Sequence, residues 1–399
     1  MVRVRAPRHS KSELYRRSRF VMSYWLGPAL VFENYVARLR TAGDPFVAEV
    51  LDFCGEGKTF DELTKRFSEH GQRALRAGIR QLLKHGLLET CGAKSQSRDR
   101  NWAGWQSWNP AAGFFHFSTK DTRFEPDDAG ETGSLRAIAR VRPLPPRVKR
   151  YRGAVVVSLP RVKAQTEFTR VLETRRTWRE FSKEPVELDK LAQLLWLSFG
   201  VQGWAVIPGV GRLALKTSPS GGAMHPFEAY VMARKVEGLS PGIYHYNAER
   251  HCLELLRKGT SKPEIRRMLA GQRWCAEAAF VVFLTAVFAR TQWKYGHPRA
   301  YRVVLAEAGH LCQTFCLTAT WLGLAPFCTM ALADTTTEGA LGIDGLSESV
   351  LYAAGAGKKP AAGKATADRV RATRRELVVR PFLKGRKGCN AKRPTSSMN

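Results

Sequence analysis

Ser218-Pro219-Ser220-Gly221-Gly222-Ala223-Met224-His225-Pro226 is the stretch on which the reading of this chain turns. Gly221 and Gly222 lack a Cβ, so a ligand can approach the backbone and meet its N–H groups. Ser220 offers a hydroxyl that can hydrogen-bond the polar edge of a planar ring. Taken alone, the run is equally a turn between a helix and a strand, and His225 a structural histidine. A second cluster lies upstream, Arg175-Arg176-Thr177-Trp178-Arg179-Glu180-Phe181. Its guanidiniums and hydroxyl suit a phosphate, which arginine binds through a planar fork of charge-assisted hydrogen bonds. Taken alone, it is a basic turn.

The flanking sequence alternates between helical and extended periods. Residues 187–199 read as an amphipathic helix through Leu188, Leu191, Leu194, Leu195 and Leu197. Residues 227–236, 243–246 and 253–256 read as strands, and the apolar run 279–288 as a buried central strand. Residues 299–322 form a long helix with Val303, Val304, Leu311 and Phe315. Helices and strands are intermixed without an internal repeat, so the class is α+β.

Upstream, residues 44–90 predict a compact helical unit within a domain over 20–92. Asp44 starts one helix, and Thr59 with Glu62 forms a capping box for the next. A third helix carries Leu75, Ile79, Leu82 and Leu83 on one stripe, stops at Gly86 and gives way to an extended 87–89. Three helices and a short strand point to a winged helix. Its third helix presents Arg73, Arg76, Arg80 and Lys84, which suit DNA or are a solvated face. The same fold also clamps peptides in some modifying enzymes. Residues 93–164 connect the halves. Trp102, Trp105, Trp108 and residues 114–117 read as an aromatic segment packed on the larger domain, and 142–150 as extended linker.

The chain has 399 residues, 44% of them hydrophobic, enough for two domains. No apolar run reaches the roughly 18 residues of a membrane helix. Residues 20–32 follow a basic N-terminus but contain Ser23, Gly27 and Pro28, with no small-x-small cleavage site after them. They read as the start of a domain, and the protein as cytoplasmic with no membrane partner. Eight cysteines form no C-x-x-C pair, so the expectation is reduced structural thiols and no metal. The net charge is +29. Seven basic residues fall in the first twenty, and thirteen follow Gly357 against Asp368 and Glu376. The tail 360–399 reads as solvated and disordered. Such ends could also bind nucleic acid, anionic lipid or an acidic peptide.

Together, the R-R-[ST]-x-R-x-F element and the P-S-x-x-x-x-H-P element resemble the FMN-binding signature of nitroreductase-type flavoproteins. More narrowly, they resemble the SagB-type dehydrogenases that make thiazole- and oxazole-modified peptides. The resemblance continues through Pro241-Gly242-Ile243-Tyr244-His245-Tyr246, Lys294-Tyr295, Tyr301-Arg302 and Glu307-Ala308-Gly309-His310. It covers residues 165–357 and implies a nitroreductase-like FMN domain over 165–359.

The resemblance implies roles for matching residues. Arg175 and Arg179, with Arg176 beside them and Thr177 assisting, would contact the FMN phosphate and the pyrimidine edge of the flavin. Ser218, Pro219 and Ser220 would lie beside the isoalloxazine, with Gly221 and Gly222 allowing close approach and His225 as a polar neighbour. Lys358 and Lys359 would return basic charge to the phosphate. Lys294-Tyr295 matches a pair that azoline dehydrogenases use in catalysis. Converting an azoline to an azole removes a proton from Cα and a hydride from Cβ. FMN can take the hydride, and a base must take the proton. Lysine in a desolvated pocket can act as that base, with tyrosine relaying or polarising. Glu307 and His310, at i and i+3, read as a hydrogen-bonded structural pair.

The expected activity is therefore oxidation of thiazoline or oxazoline rings in a ribosomally made peptide. A homodimer would hold FMN at its interface, and a cyclodehydratase complex could accompany it. Two other readings stand beside it. One is an NAD(P)H-dependent nitroreductase or quinone reductase, although no dinucleotide-binding glycine fingerprint is present. The other is a nucleic-acid-binding protein with a flavin sensor domain. The glycine-rich stretch 203–211 belongs to no motif of the resemblance.

Overall fold

The computed structural model describes residues 13–91, 105–124 and 166–361, with a few positions between 140 and 159. The first part holds strands β1 (Leu14–Arg17), β2 (Val21–Leu26), β3 (Ala29–Asn34) and β4 (Leu39–Gly43), then α1 (Pro45–Phe53), β5 (Lys58–Thr59), α2 (Phe60–Arg66), α3 (Gln72–Lys84) and β6 (Leu88–Thr90). The helices start where their caps predict. The Asp44 side chain accepts the Val47 N–H, and Thr59 and Glu62 close the capping box. α3 buries Leu75, Ile79 and Leu82, exposes Arg73, Arg80 and Lys84, and lays Arg76 over the Phe60 ring.

The small sheet departs from the expected single strand. Its order is β5-β1-β6, so its central strand precedes all three helices in sequence. Leu14–Arg17 is too short and too basic to announce itself by period. β2, β3 and β4 form a meander. Phe32 packs with the three helices, whereas Phe20 and Tyr35 join the core of the larger domain. Packing therefore divides the N-terminal region inside the meander.

Helix α4 (Ala111–Ser118) belongs to the aromatic segment, which packs on the larger domain as its composition predicts. Trp105 and Trp108 are buried, with rings nearly perpendicular. Their indole N–H groups donate to the carbonyls of Leu346 and Tyr295 at 2.7 and 2.8 Å. Ion pairs reinforce the docking. Arg38 reaches Asp121 at 2.6 Å, and the nearly buried Lys120 meets Glu338 at 2.5 Å. Trp102, most of 142–150 and the basic tail beyond 361 lie outside the described residues.

The larger domain follows with α5 (Glu167–Thr174), α6 (Leu188–Phe199), β7 (Gly203–Ile207), β8 (Gly211–Leu215), β9 (Phe227–Ala233), β10 (Gly242–Asn247), β11 (Cys252–Lys258), α7 (Lys262–Met268), β12 (Phe280–Val287), α8 (Phe288–Lys294), α9 (Ala300–Trp321), β13 (Leu324–Thr329), α10 (Asp334–Leu341) and β14 (Glu348–Lys358). Six strands form an antiparallel sheet in the order β11-β10-β9-β12-β14-β13. β12 is interior, and its apolar run is explained by burial on both faces. Phe280, Val282 and Leu284 meet α6 and α9, while Val281 and Phe283 meet α7 and α10. β13 and β14 escaped the sequence reading; the second half of β14, Ala353 to Gly357, is built of small residues. Its Gly355 is required: a Cβ there would lie 2.5 Å from the Phe327 ring. The class is α+β, as expected. Among the described residues no helix is long and apolar enough to cross a membrane.

Lys120→Met should leave the Glu338 carboxylate buried without its cation and cost about 3–5 kcal/mol in urea unfolding. Lys120→Met combined with Glu338→Leu should recover most of that loss. Equal damage in both variants would show that the ion pair is not its source.

Candidate functional site

The 218–226 loop leaves α6 and the β7–β8 hairpin and enters β9. Its shape depends on left-handed backbone at Gly222 (φ +64°), Ala223 (φ +58°) and His225 (φ +41°). One carboxylate holds it. Glu307, buried on α9, accepts the Ser220 hydroxyl at 2.9 Å on one oxygen and the Gly221 N–H at 2.7 Å on the other. Burial raises the Glu307 carboxyl above its ordinary range, against those two hydrogen bonds. The Ser220 oxygen also accepts the His225 N–H at 2.9 Å, and Ser218 is buried against Thr314 at 2.7 Å. Two expectations change here. Glu307 clamps the loop rather than pairing with His310. The single hydrogen of the Ser220 hydroxyl goes to Glu307, so toward a ligand ring that oxygen has only a lone pair to offer.

Lys294 and Tyr295, remote in sequence, are brought against this loop. A Cβ on Gly222 would lie 2.5 Å from Lys294 Nζ. One on Gly221 would lie 2.6 Å from Val303 and 3.8 Å from the Tyr295 ring. The backbone of Tyr295 is fixed from two sides, by its N–H to Thr291 and by Trp108 on its carbonyl. Lys294 is exposed in the single chain. The desolvation anticipated for a lysine base is therefore not supplied by its own fold and must come from whatever covers it.

The basic clusters meet at one edge of the sheet. The segment after α5 runs beside the strand ends, with Trp178 N–H donating to Pro326 and Ser182 N–H to Lys358, each at 2.9 Å. Arg175 caps α5, Arg176 bonds the Arg175 carbonyl at 2.6 Å, and Thr177 is half-buried. Arg179 lies over the Trp274 ring and Lys359 over Trp178. Burial lowers the Lys359 ammonium below its usual range. Lys358, expected beside the phosphate, has a carboxylate neighbour of its own. It pairs with Glu187 at 2.9 Å and holds that carboxyl down to about 2. Among the described residues, Arg175, Arg179 and Lys359 have no carboxylate partner. The edge thus carries cationic donors suited to a phosphate, and the space beside the two loop glycines is taken by Val303 and Lys294.

A polar network that the sequence reading did not single out lies beside the loop. Glu228 on β9 bonds Arg290 through one oxygen and His245 Nε2 at 2.9 Å through the other. His245 Nδ1 meets Glu254 at 2.9 Å, directly across the β10–β11 ladder. The Glu228 hydrogen bond, with Glu254 adding, raises His245 to about 9. Burial and nearby Lys216 push His225 the other way, to about 4. Only strand register could have revealed this set, because its members are far apart in sequence.

A folded-state histidine raised from 6.5 to about 9 stabilises the native state fully below pH 6.5 and loses that contribution as pH rises through 9. The thermal midpoint should fall across this window, and His245→Gln should flatten the fall. An unchanged slope in the variant would assign it to another group.

The geometry can be set beside known proteins. The nitroreductase family model matches residues 172–358. A nitroreductase-like protein of Methanocaldococcus jannaschii, MJ1384, is 34% identical over 164 residues, which are 41% of this chain and 78% of that protein. The trifolitoxin-processing protein TfxB of Rhizobium leguminosarum bv. trifolii is 32% identical over 36% of this chain, which spans 39% of TfxB. The trifolitoxin operon protein TfxC of the same organism is 23% identical over 65% of this chain and 75% of its own length.

Proposed function

This chain belongs to the nitroreductase family of flavin-dependent oxidoreductases, and from that premise we propose that it uses FMN to oxidise thiazoline or oxazoline rings to azoles in a ribosomally made peptide, as SagB-type enzymes do. The observation that carries the reading is the placement of Lys294 and Tyr295 against Gly221 and Gly222. An amine and a phenol thus stand beside the loop that would carry the flavin, packed against its two glycines. Similarity to TfxB, named for trifolitoxin processing, and to TfxC, a protein of the trifolitoxin operon, supports a peptide substrate.

The residues fit FMN. Arg175, Arg179 and Lys359 would hold its phosphate with Thr177 assisting, and the loop from Ser218 to Gly222 would lie along the ring. Bound FMN would supply the two-electron acceptor for the hydride leaving Cβ. The Lys294 amine takes the Cα proton, and the Tyr295 hydroxyl polarises the ring or relays that proton. The Trp108 bond to the Tyr295 carbonyl keeps the pair from drifting off the loop. Lys294 is desolvated when the substrate and a second subunit of a homodimer close over it. The N-terminal helical unit would hold the peptide, with Arg73, Arg80 and Lys84 of α3 steering an acidic leader, alone or beside a cyclodehydratase.

Protein loaded with FMN should remove a hydrogen pair per ring from an azoline peptide, read by mass. Lys294→Ala and Tyr295→Phe should keep bound flavin by absorbance and lose about 10²–10⁴-fold in rate. Arg175→Ala with Arg179→Ala should instead lose the flavin. Full activity in Lys294→Ala would rule out the assigned base. Rapid flavin bleaching by NADPH with no azoline turnover would replace the reading with a nitroreductase one.

A further inference from the structure

The glycine-rich stretch that matches no motif forms the β7–β8 hairpin, and the hairpin walls a cleft of about 540 Å³. The opposite wall is the continuation of the site itself: Ala223, Met224 and His225 of the loop, and Arg290 and Trp293 of α8. Trp293 immediately precedes Lys294. Trp204 is pinned by the Arg212 guanidinium, 4.1 Å over its ring. Trp293 is largely exposed at the other side. Two aromatic walls beside a catalytic loop, with room for a short peptide segment, describe a substrate pocket rather than a structural gap.

The charges lining this cleft do not cancel. Glu228 uses both oxygens, on Arg290 and on His245. Glu254, outside the cleft, is taken by His245 and Asn247, and Glu249 of the lining lies 4.0 Å from Arg212. Lys216, at the end of the hairpin, projects into the same cleft. Among the described residues its ammonium has no hydrogen-bond acceptor and no ion pair within 4 Å; burial lowers it below its usual range, Glu228, whose oxygens are already engaged by Arg290 and His245, attracts it through space, and Arg290 repels it less. A partly buried ammonium without an acceptor is a site for one anionic oxygen pair.

We propose that this cleft recognises a carboxylate of the peptide substrate, with Lys216 as its counter-charge and Trp204 and Trp293 as its walls. The identity of the substrate rests on the azoline reading above. The carboxylate has two sources, an acidic side chain near the ring or the peptide C-terminus. The subsite selects which ring along the peptide is presented to Lys294.

The test is equilibrium binding of oxidised azole peptides to the FMN-loaded full chain, read by tryptophan fluorescence, so that it does not depend on turnover. Three otherwise identical peptides are compared: one with an acidic side chain and a free C-terminus, one with that side chain amidated, and one with an amidated C-terminus. The peptide lacking the recognised carboxylate should bind about ten- to a hundredfold more weakly, the equivalent of one charge-assisted hydrogen bond. Lys216→Met should bind all three alike, and Lys216→Arg should keep the discrimination, with flavin content confirming that both variants fold. Equal binding of the three by the wild type, or discrimination surviving in Lys216→Met, overturns the proposal. Ring oxidation without discrimination keeps the azoline reading and removes the subsite. Discrimination without ring oxidation keeps the subsite and removes the azoline reading.

Discussion

The Glu307 carboxylate is the constraint around which the candidate site is organised. A buried carboxylate costs several kcal/mol unless its oxygens are satisfied. Here both are, by Ser220 and by the Gly221 backbone. The carboxylate fixes the loop to α9, and the loop can then carry left-handed residues and two bare glycines. Lys294 fits against Gly222 because nothing projects from it. The clamp on α9, the loop before β9 and the end of α8 thus form one unit although they are distant in sequence.

The aromatic segment supports that unit from behind. Trp105 and Trp108 fill the space between α8 and α9 and use their indole N–H groups on the carbonyls of Leu346 and Tyr295. A buried tryptophan needs a partner for its polar atom, and here that requirement also positions a site residue. The segment is therefore part of the larger domain in packing terms, and Phe20 and Tyr35 of the meander extend the same cluster.

Charge is distributed with similar economy. The chain is strongly basic, yet the cations proposed to meet ligands are those without a carboxylate partner among the described residues. Arg175, Arg179 and Lys359 sit over or beside aromatic and backbone groups at the sheet edge, whereas Lys358, one residue away, is neutralised by Glu187. The same contrast separates Lys216 from Arg290 in the hairpin cleft. A partly buried cation with no carboxylate in contact has an electrostatic reason to meet an anion.

Much of this was legible from the sequence. Helix caps at Asp44 and Thr59, the stripe on α3, the apolar run of β12 and the long α9 follow from local rules, since caps and periodicity involve residues a few positions apart. The motifs around Arg175, Ser220 and Lys294 pointed to the family. Other features were not legible. β1 is too short for a period, β14 is too poor in large side chains, and the β7–β8 hairpin matches no motif. The partner of Glu307, the neutralisation of Lys358 and the lack of an ion pair at Lys216 among the described residues depend on which strands and helices lie side by side. By itself, then, the sequence determined which segments fold and which residue types could perform the chemistry, because those depend on near neighbours along the chain. Only the tertiary structure decided which of those residues are committed to one another and which are left to meet a ligand, because a hydrogen bond or ion pair between distant segments is set by register and packing.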